Sequence, residues 1–344
     1  MKKYLSIILV SISVIACKSE KKEIEKKSKE VNVYTHRHYK ADQELFAQFE
    51  KETGITVNVV NAKADELMQK MSLEGAQSPA DVLITVDAGR LVRAKNKGLL
   101  QSASSDFLNK TIPSHLKDTD NHWFALTKRA RVIVYNPEKV KAKELSSYEA
   151  LTNKKWKNKI LIRSSDNIYN QSLLASIIAN NGEEKASEWT KGIVANMARS
   201  PKGNDRDQVK AVVAGEGDIA IVNTYYIGKL LNSKNPDEVL AGEGIKVFFP
   251  NQNDRGTHIN VSGAGVAKYA PNKENAIKFI EFLESKKSQE VFAKANYEYP
   301  VNREVVSSDL LKSWGEFKED TLSLTKLGEN NKKAVIIFDK SSWK

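Results

Sequence analysis

The sequence predicts an α/β protein of two lobes joined by extended chain. Three observations carry that expectation. Strand and helix patterns alternate from Val31 onward, which is the arithmetic of βαβ units. One long stretch, Trp123 to Tyr135, breaks the alternation, ends at Asn136-Pro137 and separates two α/β series. The 344 residues are enough for two lobes of ordinary size.

In order, Val31 to Tyr34 reads as a strand and Ala41 to Thr53 as a helix stopped by Gly54. Ile55 to Val60 is a strand and Ala64 to Gly75 a helix. Asp81 to Val86 is a buried strand, and Gly89 to Lys97 a helix stopped by Gly98. These units predict a parallel sheet with right-handed crossovers. After the extended stretch, strands are expected at Ile160 to Arg163, Asp218 to Asn223 and Ile245 to Phe249. Helices are expected at Tyr169 to Ala179, Glu183 to Asn196, Asp205 to Ala214 and Ile227 to Leu231. The chain returns through Thr257 to Ala267, bending at Gly263-Ala264-Gly265, into helices at Lys273 to Ser285 and Ser288 to Ala295. The expected division is 31–128 plus 256–300 for one lobe and 129–255 plus 301–344 for the other. Extended crossovers between them suggest a hinged clamp closing on a ligand.

The first 17 residues read differently. Met1-Lys2-Lys3 is a basic start, and Tyr4 to Ala16 is an apolar run too short to span a bilayer. This is a secretory signal ending in Val14-Ile15-Ala16-Cys17, a sequence like a bacterial lipobox. Cleavage before Cys17 and its acylation are the expectation. Cys17 is the single cysteine, so the mature body has no second thiol for a disulfide or a thiolate metal site. Residues 18–30 are almost wholly charged and read as a solvated tether. The formal net charge is +11; removal of Lys2 and Lys3 lowers it by two, to +9. The lysines are spread along the chain without a dense basic block, and export argues against nucleic acid as a partner. A solvated lysine surface is expected, with part of the charge offsetting an anionic site. Nothing in the sequence sets the oligomeric state; a monomer suits a hinged clamp.

Tyrosine follows a predicted strand in three places: His38-Tyr39 in VNVYTHRHYKADQE, Tyr169 in ILIRSSDNIYNQSLLAS, and Tyr225-Tyr226 in DIAIVNTYYIGKL. In doubly wound lobes these strand-to-helix junctions share the edge that opens into the ligand crevice. Asn223 or Thr224 is expected to cap the helix after Tyr225-Tyr226 and to turn its positive end toward the phenols. A free phenol ionises near pH 10, so only a strong Lewis acid would deprotonate several together. Zinc favours His and Cys, and calcium and magnesium favour carboxylate, carbonyl and water. A hard trivalent cation, ferric ion, suits phenolate best.

The segments RHYKAD, KADELMQKM, SPADVLITVD, RSSDNIYNQSLLAS, GDIAIVNTYYIGKL, GTHINVSGAGV and NYEYPVN resemble periplasmic ferric-iron-binding proteins. The resemblance is to the branch that holds iron through one His and four Tyr without an obligatory anion, and it covers nearly the whole body. It implies a two-lobe type II solute-binding fold, Fe(3+) as cargo, free or as a ferric chelate, and the permease and ATPase of an ABC importer as partners. Carried over by block, it implies His38, Tyr39, Tyr169, Tyr225 and Tyr226 as metal ligands. Arg129 matches a position whose charge stabilises the phenolates. Lys229 stands where arginine is common, keeping the charge without the planar fork. Arg255 is a weaker candidate of the same kind. The anchor on Cys17 implies a lipoprotein on the outer face of the membrane or in the periplasm.

Other readings stay open at this point. Adjacent aromatics could stack on an organic ligand such as a polyamine or thiamine, and a basic cleft could hold an oxyanion such as phosphate. An exported hydrolase would need a catalytic motif; no G-x-S-x-G, H-E-x-x-H or P-loop pattern occurs, so no enzyme is expected. His115, His122 and His258 show no ligand spacing, and His36 reads as a bystander. Asp65-Glu66 and Glu183-Glu184 fall at helix starts, where acids suit the dipole. Tyr148 lies outside the three blocks and serves as a comparison position.

Overall fold

The computed structural model describes residues 28–344. The leader, Cys17 and residues 18–27 of the tether lie outside them. Glu30, the last residue expected in the tether, instead opens the first strand. The chain runs β1 (Glu30–Thr35), α1 (Lys40–Thr53), β2 (Thr56–Asn61), α2 (Ala64–Glu74), β3 (Val82–Val86), α3 (Ala88–Asn96), α4 (Asp106–Thr111) and β4 (Phe124–Tyr135). It continues through β5 (Ile160–Leu161), α5 (Ile168–Asn181), α6 (Glu183–Asn196), α7 (Asp205–Val213), β6 (Ile219–Asn223), α8 (Thr224–Leu231), α9 (Pro236–Glu243), β7 (Lys246–Phe248) and β8 (Ile259–Val266). Helices α10 (Lys273–Leu283), α11 (Lys286–Ala295), α12 (Asp309–Ser313), α13 (Thr325–Glu329) and α14 (Asn331–Ser341) complete it.

Local chemistry explains these elements. In α1, Leu45, Phe46 and Phe49 share the buried face, and Gly54 ends the helix at φ +69°, donating its N–H to Glu50. All five residues of β3 and of β6 are buried, as expected of strands covered on both faces. Asp87 stops β3 and its side chain accepts the N–H of Gly89 to start α3.

The sheet order is β2-β1-β3-β8-β4-β6-β5, with β7 also on β4. Its flanks are parallel: β1 with β2 and β3, and β5 with β6. The parallel pairing expected of the first βαβ units holds among β1, β2 and β3, while the centre is antiparallel: β8 runs against β3 and β4, and β4 against β6 and β7. The reason is topological. β4 and β8 are the two crossovers, one leaving the first half and one returning to it, so they run in opposite directions.

β4 changes partners midway. Phe124 to Ala130 pair with β8, and Arg131 to Tyr135 pair with β6. The chain crosses again at 297–302, where Lys128 and Tyr299 exchange backbone hydrogen bonds of 2.9 and 2.8 Å. The stretch Gly263-Ala264-Gly265, expected as a bend, lies within the continuous strand β8, beside a register shift between Ala125 and Thr127 of β4. The glycines serve close packing instead: a Cβ on Gly263 would lie 2.6 Å from the carbonyl oxygen of Phe124. At the C-terminus α14 packs on α5 and α6, and α13 on α3 and α5.

Candidate metal centre

Three junctions build the site. Tyr39 precedes α1 in extended conformation, with φ −77° and ψ 148°. Asn167 caps α5 by accepting the N–H of Tyr169 at 3.0 Å, which puts Tyr169 in the first turn. Helix α8 begins at Thr224, earlier than the expected Ile227, so Tyr225 and Tyr226 also lie in a first turn. Asn223 occupies the cap position, but its side chain caps nothing and accepts from Arg131 at 3.2 Å. Two helix N-termini thus face the phenols, which favours negative charge there.

The phenols converge. Tyr225 Oη donates to Tyr169 Oη at 3.1 Å, and the rings of Tyr225 and Tyr226 lie 4.3 Å apart. Lys229 Nζ sits 4.4 Å from the ring centre of Tyr39 and 5.3 Å from that of Tyr225, so it bridges the two halves. Burial chiefly, and then the charge of Glu298, push the Tyr39 hydroxyl well above the usual tyrosine range, with Tyr169 and Tyr226 adding to the effect and Arg37 opposing it. Burial, then Tyr169, Tyr226 and Tyr39, do the same to Tyr225. Tyr226 is pushed up to about 12 by burial, Tyr169 and Asp205, against the charge of Arg163. Such mutual opposition between phenolates requires short range. Without a cation Tyr39, Tyr225 and Tyr226 therefore keep their protons.

His38 stands apart. It is exposed, its ring centre is 5.8 Å from that of Tyr39, and no hydrogen bond joins it to Tyr169, Tyr225 or Tyr226 among the described residues. Its place is the rim of the cluster. His36 is half-buried and lowered to about 4 by burial and the nearby Arg90, so it is a neutral bystander.

Cations ring the phenols. The Arg129 guanidinium lies 5.6 Å from the Tyr169 ring centre and that of Arg163 5.7 Å. Arg129 is buried; Nη1 reaches Ser262 Oγ at 3.4 Å, while Nε and Nη2 have no hydrogen-bond partner in the protein. Burial pulls the Lys229 ammonium below its usual range, against the charge of Glu298. Arg255 is elsewhere: it pairs with Glu149 at 2.6 Å and Asp254 at 3.2 Å, which removes it as a partner of the phenols.

Sequence reasoning missed the buttress. Arg131, buried on β4, donates to Asp205 at 2.6 Å, Asn170 at 2.7 Å and Asn223 at 3.2 Å. It fixes the start of α5 against the end of β6, and so Tyr169 against Tyr225. Arg37 plays the matching part in the first half, held by Asp42 at 3.0 and 2.9 Å and by Thr127 at 3.1 Å beneath the Tyr39 ring. The signal available was an arginine amid the otherwise apolar RVIVY run. Tyr148 also differs from a neutral comparison position: it is fully buried and its hydroxyl donates to the carbonyl of Arg131.

The remaining histidines are engaged structurally. His115 meets Glu319 at 3.1 Å, and His258 is buried and lowered to about 3 by burial and by Arg131. His122 shares Asp118 and Asp120 in a group of metal-binding composition, but Lys95 Nζ already bonds both carboxylates at 2.9 and 2.8 Å.

Against known proteins, residues 77–316 match the model of a family described as bacterial extracellular solute-binding protein. This chain belongs to that family. Its members bind solutes for transport rather than turn them over, which sets aside the exported-hydrolase reading. This solute-binding protein is 52% identical over 315 residues to iron uptake protein A1 of Synechocystis, covering 92% of this chain and 88% of the relative. A Trichodesmium structure in complex with iron and citrate ligands aligns with a TM-score of 0.90 at 50% identity, covering 92% of this chain and all of that one. The ferric binding protein from Campylobacter jejuni aligns with a TM-score of 0.86 at 47% identity, covering 91% and 100%. The fold is thus the two-lobe type II architecture, with β4 and β8 as its extended crossovers. Among the described residues no helix is long and apolar enough to cross a membrane.

Proposed function

We propose that this protein binds ferric ion between its lobes through the phenolates of Tyr39, Tyr169, Tyr225 and Tyr226, with His38 joining at the rim, and delivers it to an ABC importer. The observation that carries the reading is the convergence of phenol oxygens, with Tyr225 Oη 3.1 Å from Tyr169 Oη and Tyr39 and Tyr226 within electrostatic reach. The named cargo of the relatives from Synechocystis, Trichodesmium and Campylobacter supports it. Phenolate is a hard oxygen base that ordinary divalent biological cations do not ionise in groups. A triply charged ion with four phenolates leaves one net negative charge, and Arg129, Arg163 and Lys229 surround the place where it would sit.

The lobes are taken as 31–128 plus 256–300 and 129–255 plus 301–344. Tyr169, Tyr225 and Tyr226 then share one lobe and form the first landing place. Tyr39 and His38 come from the other, so they coordinate only on closure, and the ion stabilises the closed state by that difference. Acylation of Cys17 and the charged tether would hold the protein at the membrane while it reaches solution, and a permease and ATPase would receive the ion.

The test is a visible spectrum. Addition of ferric citrate should give a phenolate-to-iron charge-transfer band and a thermal shift. A protein that stays colourless and unshifted sinks the proposal. The unpartnered Nε and Nη2 of buried Arg129 favour a second reading, an oxyanion solute held by Arg129, Arg163 and Lys229. That reading predicts stabilisation by phosphate or a similar anion with no colour.

A further inference from the structure

Tyr297 is held at φ +57°, in the left-handed region that aromatic residues seldom adopt. Outliers of this kind persist where surrounding contacts over-determine them, and they cluster at functional sites. Tyr297 stands between α11 and the Lys128–Tyr299 bridge. Both neighbours belong to the half that carries Tyr39: α11 packs on α1, and the Val301 N–H is held by Gln289 of α11 at 2.8 Å. The side chain of Tyr297, however, meets α8, which packs on α7, α9 and β6 in the other half.

Its contact on α8 is Gly228. A Cβ at that position would lie 2.5 Å from Tyr297 Cβ and 2.9 Å from Cδ2, closer than atoms of a folded protein approach. The residue therefore rests on bare helix backbone. Glycine inside a helix is less favourable than alanine, so its presence at 228 asks for a reason, and close approach of Tyr297 supplies one. The position also matters. Gly228 lies between Tyr226 and Lys229, and the next residue after Tyr297, Glu298, reaches Arg37 at 3.5 Å under the Tyr39 ring. The contact thus spans the cleft beside the candidate ligands.

We infer that Tyr297 and Gly228 form a steric latch across the cleft. Tyr297 seats on the α8 backbone only when the lobes are closed, and Gly228 is the position that admits it. The latch takes its cargo from the proposed function, though its geometry does not depend on it. Tyr297 and Gly228 are positioning residues; neither touches the ion.

The test uses Gly228→Ala, Tyr297→Ala and the double variant, with two readouts: the rate at which a competing chelator removes iron, and the radius of gyration from small-angle scattering with and without iron. Gly228→Ala should keep the charge-transfer band, because Tyr169, Tyr225 and Tyr226 remain, yet stay extended when loaded and lose iron at least about tenfold faster than the wild type. Its thermal stability without iron should not fall, since alanine favours the helix. Tyr297→Ala in the Gly228→Ala background should restore compaction on loading and return the release rate to within about threefold of Tyr297→Ala alone. The latch is overturned if Gly228→Ala closes and releases iron as the wild type does, or if the double variant releases iron as fast as Gly228→Ala. If the wild type gives no band at all, the ferric reading falls. The scattering then decides the latch with phosphate as the ligand: the wild type must compact and Gly228→Ala must stay extended, and equal radii with phosphate overturn it.

Discussion

Proton release should reveal how many phenols the metal ionises. Tyr39 and Tyr225 have hydroxyls well above the usual range, and that of Tyr226 is at about 12, so all three carry their protons at neutral pH. Ionising Tyr226 at pH 7 then costs on the order of 7 kcal/mol, since each pKa unit is about 1.4 kcal/mol. The ion must supply that energy, and each coordinated phenol must release one proton. These three require three protons per ion, and coordination by Tyr169 adds a fourth. The sign follows directly: falling pH weakens binding, because protons compete with iron for the same oxygens. One unit of pH should change the affinity by about a thousandfold for three phenolates and about ten-thousandfold for four. The assay is loading from a ferric chelate whose own proton balance is known, in weak buffer with a pH dye, together with competition titrations at pH 6 and pH 7. A release of one proton or none per ion, with a matching shallow slope, would refute the phenolate cluster.

Tyr226→Phe should lower iron affinity by more than about a hundredfold, beyond the effect typical of an outer partner, whereas Tyr269→Phe, 52% exposed and remote from the three blocks, should leave it unchanged in the same chelator titration. Tyr269 replaces Tyr148 as the control because the Tyr148 hydroxyl supports the Arg131 backbone. Arg131→Met should cost about 3 kcal/mol or more in urea unfolding, since it leaves the buried Asp205 with Arg163 at 3.2 Å as its remaining charged partner beside the Asn223 N–H at 2.7 Å. Glu319 offers a pH-dependent case. Burial raises its carboxyl, but the hydrogen bond to His115 and the charge of Lys128 outweigh this and hold it at about 2, below the ordinary 4.5. Its stabilisation is present above 4.5 and lost as pH falls toward 2, so Glu319→Gln should destabilise most at neutral pH and progressively less across that window in thermal melts.

The three tyrosine blocks were legible because each is local: a β-rich run, a polar turn, then a helix pattern fixes where the phenol falls. The same locality left other features hidden. The antiparallel centre of the sheet depends on which way β8 returns, and nothing within INVSGAGV states its direction. Arg131 meets Asp205 and Asn170 from 74 and 39 residues away, so their pairing follows from the fold and not from spacing. Tyr297 reads as one more aromatic in NYEYPVN; its positive φ and its seat on Gly228 belong to the packed state. The helices α12 and α13 have five residues each, too short for an apolar period to stand out. His38 is joined to Tyr39 by the RHY resemblance; that its ring is exposed while the Tyr39 hydroxyl is shifted by burial belongs to the fold ahead of α1 and not to the motif.

The central claim is that iron sits among the four phenol oxygens. A crystal of the iron-loaded protein, measured at the iron absorption edge, would locate the ion by anomalous scattering. The account predicts one strong peak in bonding contact with the hydroxyl oxygens of Tyr39, Tyr169, Tyr225 and Tyr226, with His38 drawn in from the rim. A peak elsewhere, such as at the Asp118–Asp120–His122 group with Lys95 displaced, or a loaded cleft holding only an anion against Arg129, would contradict it.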